Sequence, residues 1–78
     1  MVSNPIQVNT APKFDLTDRE LEILRLLVKG RSYKILASEL KISIDTVRTH
    51  IKNIYEKLQV HSMTDAVLTA IRQNIVQL

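Results

Sequence analysis

The 78-residue chain has no cysteine, no tryptophan, one glycine (Gly30), two prolines (Pro5 and Pro12) and only 4% aromatic residues. Without thiols there is no disulfide framework and no thiolate metal site, so the fold rests on buried apolar surface. A lone glycine cannot build a phosphate-cradling loop, which removes the usual nucleotide-binding fingerprints. No apolar run approaches the ~20 residues of a membrane span, and the N-terminus lacks the basic-then-apolar order of a signal peptide. A cytoplasmic protein is therefore expected. His50 and His61 have no second ligand at useful spacing, and so short a chain cannot easily wall a cleft. Neither catalysis, nor a cofactor, nor a metal is expected.

What is present suffices for one small domain: 45% of the residues are hydrophobic. The net charge of +3 is modest but unevenly spread. Residues 29 to 57 hold seven basic side chains against three acidic, whereas residues 14 to 28 hold two against four. A phosphate backbone attracts the basic part whatever the base sequence.

Residues 1 to 14 contain both prolines and show no helical periodicity, so they read as a flexible arm or linker. From residue 15 onward four helices are legible. Thr17 and Glu20 have capping-box spacing, Leu16 and Leu21 have staple spacing, and Leu21, Leu24, Leu27 and Val28 continue an apolar face to Gly30, placed to end the helix left-handed. Ser32 caps a second, short helix with Tyr33, Leu36, Ala37 and Leu40 on one side. Lys41-Ile42-Ser43 is a connection of helix-turn-helix length, and Ser43 caps a third helix ending near Leu58. Gln59 is a poor residue for a left-handed terminus, and Val60 is free to plug the core. Ser62 and Asp65 open a fourth helix that runs to about Gln73, with Asn74 as its left-handed cap.

The third helix, about 44 to 58, carries the most information. At roughly 100° per residue Val47, Ile51, Ile54 and Leu58 form one stripe, and Asp45, Arg48, Thr49 and Lys52 lie away from it. Arg and Lys donate to guanine O6 and N7, the Thr methyl meets the thymine methyl, and a small acid accepts from cytosine. Arg48, Thr49 and Lys52 are the candidate base readers for double-stranded DNA. Lys57 lies well round from that front and reads equally as a phosphate contact or a solubilising charge. His50, bordering the apolar stripe, reads as a packed or hydrogen-bonded edge residue, and Tyr33 and Tyr55 as core margins with hydroxyls able to reach a phosphate.

From about Phe14 to Leu78 the chain resembles the LuxR-type (GerE-type) DNA-binding domain of bacterial transcription regulators. The resemblance rests on Leu16-Thr17-x-Arg19-Glu20, Gly30-x-Ser32-x-Lys34, Ile42-Ser43-x-x-Thr46-Val47-Arg48-x-His50, Ile54-x-x-Lys57-Leu58-x-Val60, Ala66-Val67 and Ala70. It implies an all-α fold, a four-helix bundle containing a helix-turn-helix whose third helix enters the major groove. It likewise implies base contacts at Arg48, Thr49 and Lys52, and phosphate contacts at Ser32, Lys34 and Thr46. In such domains the fourth helix commonly mediates dimerisation. Here Ala66 and Ala70 would face the bundle, leaving Met63, Val67 and Ile71 either as an outward dimer stripe or as core. Members often carry a receiver or ligand-binding domain before this one, which suits a bacterial response regulator output domain.

Four positions depart from the pattern: Tyr33 replaces a usual Asn, Ile35 a Glu, Gln59 a Gly and Met63 an Arg. Ile35 breaks the second capping box and is expected to be exposed, as a contact for another domain or RNA polymerase or as an isolated apolar residue. Two other functions stay open at this point: a helical protein-interaction module of the same fold, and a sigma-factor-like promoter-recognition domain. The first would not need the Arg48, Thr49 and Lys52 front. The second shares the Thr17-x-Arg19-Glu20 opening, but the His50 to Val60 spacing and the fourth helix favour the LuxR type.

Overall fold

The computed structural model describes residues 14–77, so the arm expected over residues 1 to 14 lies, apart from Phe14, outside the described residues. Phe14 itself is half-buried against the core. The described residues form α1 (Asp18–Val28), α2 (Tyr33–Leu40), α3 (Ile44–Leu58) and α4 (Met63–Arg72), and no strand.

Each helix starts on a side-chain oxygen. Thr17, Ser32, Ser43 and Ser62 accept from the backbone N–H of Glu20, Ile35, Thr46 and Asp65 respectively. These are the caps expected from the sequence, and each contributes about 1 kcal/mol by satisfying an otherwise orphaned donor. At Thr17 the box is reciprocal: the Glu20 carboxylate accepts from the Thr17 N–H at 2.9 Å. At Ser32 only the forward bond forms, because Ile35 has no oxygen to return.

The helix ends repeat one device. Gly30, Lys41, Gln59 and Asn74 are all left-handed, with φ of 90°, 59°, 59° and 56°. After each, the next N–H reaches back to a carbonyl in the last turn: Arg31 to Leu26, Ile42 to Ala37, Val60 to Tyr55 and Ile75 to Ala70. In three of the four that next residue is apolar and half-buried against the core (Ile42, Val60 and Ile75). Packing of Val60 is what holds Gln59 in a conformation its Cβ resists, at a backbone cost of about 1–2 kcal/mol.

α3 is the hub on which α1, α2 and α4 pack, and α1 also packs on α4. The core joins Ile23, Leu24 and Leu27 of α1, Leu36 and Ala37 of α2, Val47, Ile51, Ile54 and Leu58 of α3, Ala66 and Ala70 of α4, and Val76. All four residues of the α3 stripe are buried, so its opposite side is fixed outward. The α1 face is turned relative to expectation: Ile23 is fully buried and Leu21 only half-buried. Val76, from the short apolar tail, also enters the core.

Candidate nucleic-acid interface

The three-residue link Lys41-Ile42-Ser43 delivers the chain from α2 straight into α3, and left-handed Lys41 makes that sharp turn possible. With Leu36, Ala37, Val47 and Ile51 buried together, the two helices form a helix-turn-helix whose second member presents a long exposed side.

On that side Asp45, Arg48, Thr49, Lys52 and Glu56 are all exposed. Arg48 and Lys52 line a shallow groove together with Ile51, Val60, Tyr33, Tyr55 and the acidic Glu56. Arg48 Nη1 donates to Asp45 Oδ1 at 3.2 Å. Thr49 Oγ1 donates to the Asp45 backbone oxygen at 3.1 Å, so the hydroxyl turns back to the helix and the methyl is left for an apolar contact. Among the described residues Lys52 and Lys34 make no ion pair.

The residues assigned to phosphate by resemblance cluster at helix starts, where free N–H groups and the dipole favour anions. Ser32 Oγ accepts from the Ile35 N–H, which leaves its O–H to donate outward. Ser43 Oγ and Thr46 Oγ1 lie 2.9 Å apart. That mutual bond uses one of their two protons and leaves the other available. Lys34 is exposed in the first turn of α2.

Lys57 differs. Expected either at a phosphate or as a solubilising charge, its Nζ instead donates to Glu20 Oε1 at 2.8 Å. Glu20 is only 3% exposed. Burial alone would push this carboxyl up, but the Lys57 ammonium and the Thr17 backbone and hydroxyl outweigh it, so its pKa falls below the ordinary 4.5. The Lys57 charge is thus committed inside the domain, and the pair ties the start of α1 to the end of α3. Capping spacing accounted for Glu20 fully in sequence terms, which left no sign of its second partner.

The two tyrosines are core margins, both packed against the cluster. Burial and the neighbouring Tyr33 hydroxyl push the Tyr55 phenol up to about 12, so it stays neutral. His50 is half-buried at the stripe's edge. On α4, Ala66 and Ala70 face inward as expected. Of the outward stripe only Met63 is exposed; Val67 and Ile71 are half-buried flanks, and Leu68, 40% exposed, occupies the outward pole instead. Ile35 is exposed at 46%.

An all-α helix-turn-helix whose second helix presents Arg48, Thr49 and Lys52 to solvent defines a DNA-binding domain of a transcription regulator. Residues 15–70 match the GerE family, described as bacterial regulatory proteins, luxR family, and the chain belongs to that family. It is 48% identical over 62 residues to the response regulator protein VraR of Staphylococcus aureus, and equally to VraR of Staphylococcus epidermidis. Those matches take in 80% of this chain and 30% of the relative. The chain thus spans about a third of the length of these curated relatives. Among solved structures, the transcription factor GerE superposes with a TM-score of 0.74 at 44% identity, covering 80% of this chain and 92% of that one. The response regulator ChrA of a heme-sensing two-component system superposes at 0.77 with 41% identity, covering 90% of this chain and 35% of that one. The family is a class of DNA-binding regulators, not of enzymes, and its partner is double-stranded DNA. No helix of the described residues is long and apolar enough to cross a membrane.

Proposed function

We propose that residues 15–78 act as the sequence-reading output domain of a bacterial transcription regulator, with α3 in the major groove. Arg48, Thr49 and Lys52 read base edges, while Ser32, Lys34 and Thr46 hold phosphates and set the register. The observation that carries this reading is the division of α3: its apolar stripe is buried on three other helices, and Arg48, Thr49 and Lys52 project from the remainder into solvent. Lys57 is left out of the phosphate set because its ammonium neutralises Glu20.

Two copies pair through α4 on a two-fold operator, using Val67, Leu68, Ile71 and Met63. A single helix stripe is too small for a tight dimer off DNA. Ile35 on α2 offers a contact to RNA polymerase or to a preceding domain. Residues 1–14 serve as the linker to such a domain, as the kinship with longer response regulators suggests, and the regulator works in the cytoplasm.

Salt-titrated binding to a random-sequence duplex tests the reading. Several lysines and arginines displacing condensed counterions give a log–log slope of about −0.9 per phosphate neutralised. A flat affinity between low and moderate salt would place the domain among protein-interaction modules instead.

A further inference from the structure

Asp45 puts an acid on the proposed DNA-facing surface, its side chain 92% exposed where phosphates would approach. Its place is nonetheless specific. It stands in the first turn of α3, one turn before Arg48, and holds Nη1 of that guanidinium at 3.2 Å. The same residue's backbone oxygen accepts the Thr49 hydroxyl at 3.1 Å. Asp45 therefore touches two of the three proposed base readers, and its acid is the nearest charge to Arg48.

An exposed pair of this kind adds little to stability. Its consequence lies in what Arg48 can grip. A phosphate approaching the guanidinium brings one anion beside another, and like charges repel at that range even in water. The edge of guanine offers O6 and N7, neutral acceptors in a plane, which carry no such penalty. With Nη1 on Asp45, the rest of the guanidinium keeps further N–H donors free, and the contact biases their direction before DNA arrives.

We propose that Asp45 is a positioning and specificity-determining residue that acts through Arg48, clasping the guanidinium so that it engages a base edge rather than a phosphate. It rests on the α3 reading above and adds discrimination against unspecific DNA, a repulsive element of the kind specific interfaces need.

The test uses the full chain with two probes: a duplex selected by the wild type from a randomised library, and a scrambled duplex of equal length and composition. Asp45→Asn should raise affinity for the scrambled duplex about three- to tenfold, as expected for removing one like-charge contact near a phosphate. Affinity for the selected duplex should rise less, so the ratio of the two falls. In an Arg48→Ala background the same change should move the ratio less than twofold, while thermal unfolding matches that of the parent proteins. An unchanged ratio in Asp45→Asn, or an equal fall in both backgrounds, overturns the inference, the second outcome reducing it to net charge. An altered preference at one base pair with unchanged scrambled-duplex affinity also overturns it, making Asp45 a direct reader. If the wild type selects no sequence at all, it is the α3 reading that fails.

Discussion

The Lys57 ammonium sits 2.8 Å from Glu20 Oε1, the oxygen that also accepts the Thr17 N–H at 2.9 Å. One buried carboxylate thus caps α1 and anchors the last turn of α3, 37 residues away in sequence. Lys57→Met leaves Glu20 buried with its cap alone. Breaking a fully buried pair costs about 3–5 kcal/mol, and since Lys57 is a third exposed, about 1–3 kcal/mol is expected here. Urea unfolding measures it. The salt slope of DNA binding should not change, whereas a phosphate-contacting Lys57 would lower it without loss of stability.

The same carboxylate predicts an acid limb. Its folded pKa lies below the ordinary 4.5, so as pH falls the unfolded chain takes up the proton first. The stabilisation is complete at neutral pH and is lost as pH falls through the depressed folded value. Glu20→Gln removes that dependence. Its stability deficit relative to wild type, measured by urea midpoints at pH 7 and at pH 3, should shrink on acidification; a constant deficit would show that the charge of Glu20 contributes nothing.

Gln59→Gly and Gly30→Ala should act in opposite directions. Gln59 pays for a left-handed φ of 59° that glycine adopts freely. Allowing for the greater entropy of unfolded glycine, the replacement should stabilise by about 0.5–1 kcal/mol, a few degrees in Tm. At Gly30, φ is 90° and a Cβ would meet nothing within 4 Å, so alanine should cost about 1–2 kcal/mol through backbone strain alone. Calorimetry of both variants checks the signs.

Helix starts were legible in the sequence because both partners of a cap lie within three residues of each other, as at Thr17 and Glu20 or Ser43 and Thr46. The buried stripe of α3 was legible because only Val47, Ile51, Ile54 and Leu58 align strongly. Where apolar residues surround a helix, periodicity cannot choose the inner face. α1 carries Leu21, Ile23, Leu24, Leu26, Leu27 and Val28, and the position of α3 and α4, not the wheel, decides that Ile23 is enclosed and Leu21 is not. The same applies to Leu68 on α4. The Glu20–Lys57 pair was hidden because it joins two helices whose relative placement no local pattern encodes. The residues of the site were legible as types on a face; that Thr49 turns its hydroxyl inward and Arg48 leans on Asp45 needed the side chains in place.

The pairing proposed through α4 is tested by two substitutions. Val67→Glu puts a charge on a half-buried flank outside the core cluster, and Leu68→Glu places one at the outward pole. Both should keep the fold and both should abolish paired occupancy of a two-half-site operator, measured by footprinting with sedimentation as control. Paired occupancy that survives both substitutions removes α4 from the interface.

Base reading and folding should separate cleanly along α3. Arg48 and Lys52 are exposed and take no part in the core, so Arg48→Ala and Lys52→Ala should leave helicity and thermal unfolding nearly unchanged. Each should weaken binding to the selected duplex by roughly 1–3 kcal/mol and relax preference at one or two base positions. Lys34→Ala should differ from both, weakening all sequences about equally and reducing the salt slope by about 0.9, because a phosphate contact carries no base information. Val47, fully buried, defines the opposite extreme: Val47→Asp should unfold the domain by enclosing an unpaired charge. Selection from randomised DNA with each folded variant decides the assignment. If Arg48→Ala and Lys52→Ala recover the wild-type motif with undiminished discrimination, α3 is not the reader and the exposed front serves a protein partner.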